Sequence, residues 1–438
     1  MTRTLAGVFW IGLYILVVLV PILLMLVPPV PSGRQFWLEF SVALGFVGLT
    51  QIALQFVLIA RFKRLTAPYG IDIILRHHRR VALLALSLIL LHPLIIVLDN
   101  PSRLKLLNPL GGNWASRFGL ISAAALVAIA LTSVYRERLR LGYERWRWSH
   151  LILGVTAIVF AQLHVSLAGL YTNMPWKQAV WIGSAVAMVG LVAYLRVFKP
   201  AWQRGYSWKV TEVRKERGQT HTLVVEPVGH EGMRFDPGQF AWLKLAHSPF
   251  TLEEHPFSFS SSAERPDRLE FGIRELGDFT SRIGEIPPGT AAFLDGPHGA
   301  FSIDRHPAVG YVFIAGGVGI TPIMSFLHTM ADRQDPRPVL LIYAEKALDS
   351  VPYLEALDEL SQRLDLRIVR VLEEPPPDWA GESGFVDGDL LDRQLPREEF
   401  SRQFFVCGPP PMMASVHAAL LERGVPEAKI QMEKFVLA

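Results

Sequence analysis

Long apolar runs separated by short polar segments fill the first 200 residues of this 438-residue chain, whereas residues 205–438 have the shorter, mixed pattern of a soluble α/β protein. Each long run approaches the roughly 20 residues that an α-helix needs to cross a bilayer core. The first run follows a basic residue, as a signal peptide does, but it is too long and has no small-residue cleavage site. The pattern therefore predicts six spans, at residues 6–28, 36–60, 78–98, 116–135, 149–170 and 178–198.

The remaining pattern predicts two further domains. Residues 206–305 contain short β-rich runs with turn signals, such as SWKVTEVRK and RLEFGIRE, which are typical of a small antiparallel barrel. Residues 308–438 alternate strand-like and helical segments, which predicts a Rossmann-like α/β domain. The expected fold is an all-α six-helix transmembrane bundle over residues 1–200, then an antiparallel β-barrel, then the α/β domain.

Charge and composition indicate the compartment. Half of the residues are hydrophobic, and the net charge of +3 gives no indication of a nucleic-acid partner, so none is expected. The single cysteine, Cys407, excludes intrachain disulfides and a CxxCH heme attachment. Lys and Arg concentrate in the loops after the second and fourth spans, and the positive-inside rule then places both termini and everything after residue 200 in the cytoplasm. The oligomeric state is left open.

Two of the predicted spans carry histidines at the same spacing. His78 and His92 are fourteen residues apart on the third span, as are His150 and His164 on the fifth. Fourteen residues turn a helix by about 1,400°, close to four full turns, and advance it about 21 Å. The two histidines of each span therefore share one helix face and lie near opposite sides of the membrane. Facing imidazoles on two helices predict two b-type hemes, ligated by His78 with His150 and by His92 with His164. Hydrogen bonding between helices is the alternative for any one histidine, and His77 is a rival of His78.

The predicted barrel contains two motifs that suit a flavin. HPFSFSS, from His255 to Ser261, offers an aromatic platform flanked by hydroxyls. ELGDFTSRI places Thr280 and Ser281 at an expected helix start, where backbone amides bind phosphate. Each motif is weak alone, because any exposed strand can alternate Phe and Ser.

The α/β domain contains a stronger signal, YVFIAGGVGITP, in which a buried-strand run meets a glycine-rich turn. Gly316, Gly317 and Gly319 let the backbone approach a ligand, while Thr321 is expected to cap the following helix and Pro322 to begin it. Such a helix start suits the pyrophosphate of a dinucleotide. A later strand, FFVCGPPPMM, ends in Cys407, Gly408 and Pro409.

Together these motifs resemble the ferric reductase and NADPH oxidase superfamily of membrane flavocytochromes, over nearly the whole chain. The paired histidines resemble its bis-heme domain, HPFS its flavin motif and GDFTS its FAD pyrophosphate turn. GGVGITP resembles its NAD(P) loop, CGPPPM the segment beside the nicotinamide, and MEKF the E-x-F ending whose aromatic ring covers the flavin. The resemblance implies FAD, two b-type hemes and NADPH or NADH as cofactors.

The resemblance also implies roles for individual residues. The implied catalytic residues, at the flavin and the nicotinamide, are Phe257, Ser258, Cys407 and Phe435. The further cofactor-binding residues are His255, Pro256, Gly277, Thr280, Ser281, Gly316, Gly317, Gly319, Thr321, Pro322, Lys346, Gly408 and Pro409.

Nucleotide preference is expected to depend on IYAEKALDS, which follows the second strand of the α/β domain. Lys346 would attract the 2′-phosphate of NADPH, whereas Glu345 would repel it and bind the ribose hydroxyls of NADH. Neighbours at a strand end point to opposite sides, so one of the two faces the ligand. We expect Lys346 to face it, and hence a preference for NADPH.

The implied function is electron transfer from cytoplasmic NAD(P)H through FAD and two hemes to an acceptor across the membrane, a ferric chelate or dioxygen. Superoxide-producing oxidases of this family resemble one another in carrying extra polar residues by the outer heme. The segment after His92, PLIIVLDN, has no second histidine one turn later, and this departure from the resemblance disfavours oxygen as the dedicated acceptor. Two alternatives stay open. One is a subunit that supplies electrons to a quinone or a protein partner, and the other is a soluble-type reductase attached to a passive anchor or transport bundle.

Overall fold

The computed structural model describes residues 3–28, 35–62, 71–169, 171–245, 247–395 and 400–434. The chain divides into two compact units, Met1–Lys199 and Pro200–Ala438. The division lies where the long apolar runs end.

The first unit is helical. Its main helices are α1 (Arg3–Leu26), α2 (Phe36–Leu58), α3 (Ile71–Asp99), α4 (Trp114–Val134), α5 (Tyr143–Ala168) and α6 (Pro175–Ala193). Within the described residues, five helices are long and apolar enough to cross a membrane: α2 to α5 and the helical run Pro175–Tyr206 that begins with α6. The first predicted span corresponds to a shorter apolar stretch of α1, Val8–Leu24. The structure thus supports five of the six predicted spans.

Small and hydroxylated residues let these helices pack closely. A Cβ on Gly48 of α2 would lie 2.7 Å from the Ile89 side chain of α3, so glycine permits the observed approach. Ser122 Oγ of α4 donates to the Ala157 carbonyl of α5 at 2.8 Å. Two hairpins, α2–α3 and α4–α5, result, and α3 and α5 carry the predicted histidines.

A buried lysine in this unit has a structural explanation. Lys177, near the start of α6, is 3% exposed, and its Nζ donates to the Val27 carbonyl at 2.8 Å. Carbonyls at a helix C-terminus lack intrahelical partners, and a cation there also complements the helix dipole. Lys177 therefore ties the end of α1 to α6.

A short helix, α7 (Lys199–Gln203), spans the division between the two units. A six-stranded antiparallel sheet follows it in the second unit. The strands are β1 (Trp208–Lys215), β2 (Thr220–Pro227), β3 (Phe240–Leu245), β4 (His255–Ser258), β5 (Leu269–Arg274) and β6 (Ala291–His298), in the order β4-β3-β6-β1-β2-β5. An isolated bridge joins Phe259, just after β4, to Phe271 of β5. The predicted barrel is therefore observed as a curled antiparallel sheet around a buried apolar core.

The rest of the unit is the expected α/β domain. Its elements are β7 (Tyr311–Gly316), α8 (Ile320–Asp332), β8 (Val339–Glu345), α9 (Leu354–Arg363), β9 (Leu366–Leu372), β10 (Glu382–Ser383), α10 (Gly388–Gln394), β11 (Gln403–Cys407), α11 (Pro410–Glu422) and β12 (Ile430–Glu433). The sheet is parallel, in the order β10-β9-β8-β7-β11-β12. The order reverses at β7, and the carboxyl ends of β7 and β11 there form the usual ligand crevice of an open α/β sheet.

The start of α8 differs from the prediction. The helix begins at Ile320 with Gly319 as its N-cap, because the 3₁₀ turn Gly317–Gly319 continues directly into it. The prediction that Thr321 caps the helix and Pro322 begins it is therefore wrong. Thr321 is 2% exposed, and its hydroxyl reaches the Gly272 carbonyl of β5 at 3.5 Å.

A stripe of hydroxyls on α8 joins the α/β domain to the antiparallel sheet. Thr321, Ser325 and Thr329 lie four residues apart and so share one helix face. Ser325 Oγ donates to the Ser261 carbonyl at 2.8 Å, and Thr329 Oγ1 accepts from the Ala263 amide at 2.9 Å. These bonds to backbone groups help to make the two domains one compact unit.

Candidate functional site

The structure brings the four predicted histidines together as two pairs between α3 and α5. The ring centroids of His78 and His150 are 6.3 Å apart, and those of His92 and His164 are 6.2 Å apart. His77, the rival of His78, instead contacts an aromatic ring of α1. The observed pairing is the one that the equal spacing predicts. We call His78 with His150 the inner pair and His92 with His164 the outer pair.

The separation within each pair fits a metal held between two imidazoles. A ligating imidazole nitrogen lies about 2 Å from its metal and the ring centroid about 1 Å further, so two opposed ligands have centroids about 6 Å apart. Both observed separations agree with this value. The surrounding helices present apolar side chains, which suit a porphyrin.

A backbone carbonyl orients each imidazole of the outer pair. His92 Nδ1 lies 2.9 Å from the Ser41 carbonyl oxygen of α2, and His164 Nδ1 lies 2.8 Å from the Ala115 carbonyl oxygen of α4. Because a carbonyl only accepts, the Nδ1 atoms carry the protons. Each Nε2 is then left unprotonated, as a metal ligand must be.

A glycine lies four residues after each of these two carbonyls, Gly45 on α2 and Gly119 on α4. A Cβ on Gly119 would lie 3.0 Å from His164 Nδ1, and a Cβ on Gly45 would lie 3.4 Å from His92 Cγ. The missing side chains therefore let the imidazoles reach the helix carbonyls. Neither glycine was predicted as a site residue, although a glycine in each helix that precedes a histidine-bearing helix is a signal present in the sequence.

Replacing Gly119 by alanine is expected to displace the His164 ring and to lower heme content from two towards one per chain. The new methyl group would occupy space only 3.0 Å from Nδ1. Heme quantified per purified chain measures the effect. Gly183→Ala on α6 is the matched control, because no atom lies within 4 Å of its new Cβ. Equal heme content in the two variants would contradict the tight packing of His164.

The two flavin motifs lie together in the second unit. The His255 ring stacks on Phe279 of the GDFTS segment, with centroids 4.0 Å apart, and Phe257 lies 6.1 Å from the same ring. Pro256 pairs with Trp242 in the β3–β4 ladder. Phe279 was not among the predicted site residues.

One buried hydroxyl of the HPFS motif suits a bound ligand. Ser258 is 4% exposed, and within the described part of the chain its Oγ has no hydrogen-bond partner. Leaving a buried polar group unsatisfied costs free energy, so such groups often mark a ligand site. The residues present therefore fit a flavin with polar atoms near Ser258.

The GDFTS turn is built by its own hydroxyls. Thr280 Oγ1 accepts from the amides of Leu276 and Gly277 at 2.8 and 2.9 Å, and Ser281 Oγ donates to the Asp278 carbonyl at 3.2 Å. A short 3₁₀ helix, Thr280–Glu285, begins here. The binding of FAD phosphates by this turn stays a prediction.

The glycine turn and the CGPP segment touch at the carboxyl ends of β7 and β11. A Cβ on Gly319 would lie 2.2 Å from the Cys407 carbonyl oxygen, and a Cβ on Gly316 would lie 2.5 Å from Met412 Sδ. Gly317 has φ = 57°, which glycine adopts without strain. Gly408 and Pro409 follow β11 at the same edge of the sheet, so the structure places both predicted nucleotide motifs in one crevice.

Cys407 is a buried neutral thiol. Burial raises its pKa well above the usual range, and the Glu433 carboxylate adds to the effect. The residue therefore keeps its proton at physiological pH. Phe435, which was expected to cover the flavin, lies outside the described residues.

A cation and a carboxyl group lie next to the glycine turn. Arg274 Nη1 lies 3.0 Å from the position of a Cβ on Gly317 and 3.6 Å from Glu345 Oε1. The Glu345 side chain is 3% exposed; burial raises its pKa, and Arg274 opposes the shift. Lys346 is 64% exposed, with Nζ 3.4 Å from Glu374. Which of Glu345 and Lys346 faces the nucleotide stays a prediction. Arg274 was missed because it lies on a distant strand.

Three family models match successive parts of the chain. The model for the ferric reductase like transmembrane component matches residues 44–161, the FAD-binding domain matches residues 212–287, and the oxidoreductase NAD-binding domain matches residues 313–418. The chain thus contains an FAD-binding domain followed by the NAD-binding domain of an oxidoreductase.

Named relatives match about half of the chain or less. The reductase component of propane 2-monooxygenase from Rhodococcus jostii (strain RHA1) is 31% identical over 236 residues, which are 52% of this chain and 62% of that protein. NADH-cytochrome b5 reductase 1 from Debaryomyces hansenii is 30% identical over 158 residues, 35% of this chain and 56% of that protein. The chain therefore spans less than two thirds of either relative.

Among solved structures, the flavohem-like FAD/NAD binding domain of nitric oxide dioxygenase from Vibrio cholerae O1 biovar El Tor is 22% identical, with a TM-score of 0.48. The match covers 53% of this chain and 98% of that one.

Proposed function

We propose that this chain is a transmembrane oxidoreductase. The proposal is supported by the three family models, whose order along the chain matches the architecture of ferric reductase and NADPH oxidase-like membrane flavocytochromes. The protein moves electrons from cytoplasmic NAD(P)H through FAD and two b-type hemes to an acceptor on the other side of the membrane. The observation that carries this proposal is the pair of imidazole separations, 6.3 and 6.2 Å, between α3 and α5.

The first unit positions the metal ligands. The inner pair lies towards the loops rich in arginine, and the outer pair lies about 21 Å further along the same two helices. The carbonyls of Ser41 and Ala115 hold the outer imidazoles in the tautomer that exposes Nε2. When bound, FAD converts a two-electron hydride into single electrons, and a bis-imidazole heme carries one electron at a time.

The second unit binds the nucleotide and the flavin. The glycine turn allows backbone to approach a pyrophosphate at the start of α8, and Arg274 supplies a cation beside Gly317. Phe257 offers a ring surface to the flavin, and Ser258 offers it a buried hydroxyl. Cys407, as a neutral thiol, borders the nicotinamide without introducing a charge.

The topology follows from the apolar helices and the basic loops. With α1 as a sixth span, both termini of the membrane unit lie in the cytoplasm, together with the flavin and nucleotide domains. The acceptor is then a ferric chelate or dioxygen on the far side. A protein acceptor is the second candidate, because a named relative is the reductase component of an oxygenase.

Reduction of the hemes by NAD(P)H in the purified full-length protein tests the proposal. We expect a b-type absorbance from two hemes per chain, which acid-acetone extracts because the hemes are not covalently attached. Ferric chelates, quinones and oxygen, added separately, then identify the acceptor by reoxidation. A protein that purifies with FAD but without any b-type absorbance would instead be a reductase on a passive anchor.

A fragment that begins at Pro200 is expected to fold, bind FAD and reduce ferricyanide with NAD(P)H. The fragment keeps Gln203, which is 4% exposed and donates to the Leu294 carbonyl of β6 at 3.2 Å. A matched fragment that begins at Tyr206 lacks this bond and should unfold at a lower temperature. FAD content and thermal unfolding measure the two fragments. A folded Pro200 fragment without flavin would contradict the assignment of the antiparallel sheet.

The buried Glu345 leads us to propose NADH, rather than NADPH, as the preferred donor, by about 10-fold or 1.4 kcal/mol. A carboxyl group at the end of the second strand binds ribose hydroxyls and disfavours a 2′-phosphate. The ratio of kcat/KM for the two nucleotides measures the preference. Glu345→Gln should lower the NADH:NADPH ratio, whereas Lys346→Ala, at an exposed side chain, should leave it unchanged. If Lys346→Ala instead impairs NADPH alone, the lysine reaches the phosphate and the original expectation holds.

A further inference from the structure

One histidine of the inner pair lies next to a hydroxyl group, whereas both histidines of the outer pair lie next to backbone carbonyls. His150 Nδ1 lies 3.3 Å from Ser133 Oγ of α4. His78 Nδ1 is buried and, over the residues that the structure describes, has no hydrogen-bond partner. The interaction with Ser133 is therefore the contact that can hold the orientation of the His150 ring.

Ser133 is itself held by a tryptophan. The indole Nε1 of Trp146, one turn before His150 on α5, donates to Ser133 Oγ at 3.2 Å. The Trp146 and His150 rings are 5.3 Å apart between centroids. The guanidinium carbon of Arg136 lies 5.5 Å from the centroid of the indole, a cation–π distance. Trp146 thus contacts the serine, the histidine and a cation of the basic loop.

We propose that Trp146 and Ser133 are positioning residues for His150 and set the reduction potential of one heme. With His150 Nε2 as the metal ligand, Nδ1 carries the proton. Ser133 Oγ has two lone pairs and would then accept from His150 Nδ1–H and from Trp146 Nε1–H together. This inference rests on the proposed function, since it requires a heme at the inner pair.

The hydrogen bond has a predictable electronic effect. An imidazole that donates Nδ1–H to an acceptor is a stronger ligand, and a stronger ligand favours ferric over ferrous iron. Removal of the acceptor should therefore raise the reduction potential of the inner heme. The outer imidazoles bond to carbonyls on α2 and α4 instead, so the outer heme should keep its potential.

Potentiometric titration of both hemes in the full-length protein, with EPR of the ferric state, tests the inference. Ser133→Ala should raise one of the two midpoint potentials and leave the other unchanged. Ser133→Thr, which keeps the hydroxyl, should restore the wild-type potential. Trp146→Phe should move the potential and the low-spin EPR signal of that same heme, because the signal depends on the orientation of the imidazole planes.

Two variants on the same helices serve as matched controls. Thr132→Val removes a neighbouring hydroxyl that, among the described residues, bonds within α4, to the Ala128 carbonyl at 2.7 Å and the Ile129 carbonyl at 3.2 Å. Trp148→Phe alters an indole that is 50% exposed. Neither control should move either potential.

The outcomes separate this inference from the proposed function. A wild-type protein without heme would overturn both. Two hemes whose potentials are the same in wild type, Ser133→Ala and Trp146→Phe would overturn the inference alone. Loss of one heme in Ser133→Ala supports it if Ser133→Thr retains two hemes, and contradicts it if Ser133→Thr loses the heme as well.

Discussion

Replacing His164 by alanine is expected to remove one of the two hemes. The imidazole is one of two opposed ligands, and its partner His92 lies 6.2 Å away between ring centroids. A single remaining imidazole would hold the heme iron with one protein ligand instead of two. Heme content per purified chain should fall from two to one, while NAD(P)H-driven ferricyanide reduction, which needs only the second unit, should persist.

His77→Ala is the matched control for this variant. His77 neighbours a predicted ligand in the sequence but contacts an aromatic ring of α1 rather than a second histidine. The control should retain both hemes. Two hemes per chain in His164→Ala would show that the ligand assignment is wrong.

Replacing Gly319 by alanine is expected to lower kcat/KM for NAD(P)H by at least about 100-fold, or 2.7 kcal/mol. Its new Cβ would lie 2.2 Å from the Cys407 carbonyl oxygen and 2.8 Å from the Gly408 amide nitrogen. Both contacts are with backbone, which cannot move aside as a flexible side chain can. The glycine turn must therefore shift away from β11, and the crevice between the two nucleotide motifs changes shape.

The control for this variant is Gly205→Ala, where no atom lies within 4 Å of the new Cβ. FAD content and thermal unfolding of both variants separate a local defect from global unfolding. We expect Gly319→Ala to keep its FAD and its hemes. A kcat/KM within twofold of wild type would mean that the turn does not bind the nucleotide.

Local patterns predicted a large part of this protein. Apolar run length indicates membrane helices without knowledge of their neighbours, and a fourteen-residue spacing fixes relative position on any α-helix. The facing of His78 with His150 and of His92 with His164 followed from these two properties together. Periodicity likewise indicated the antiparallel and α/β domains, because buried strands and amphipathic helices leave different repeats in a sequence.

Details that depend on contacts between distant segments did not follow from the sequence. Alternation along a strand end showed that Glu345 and Lys346 face opposite sides, but the packing of β8 against Arg274 of β5 decided that Glu345 is the buried one. The start of α8 was misplaced because Thr321 is a favourable cap locally, while the tertiary structure uses its hydroxyl against Gly272 instead.

By itself, therefore, the sequence determined the elements, the pairing of the histidines and the order of the domains, since these depend on composition and on periods within one helix or strand. Only the tertiary structure decided how the ligands are oriented. His164 contacts the Ala115 carbonyl, which is 49 positions away in the sequence, and packs against Gly119, which is 45 positions away. His150 contacts Ser133 across 17 positions of the sequence. Such contacts form when separate helices pack, so they cannot be predicted from the periodicity of any one segment.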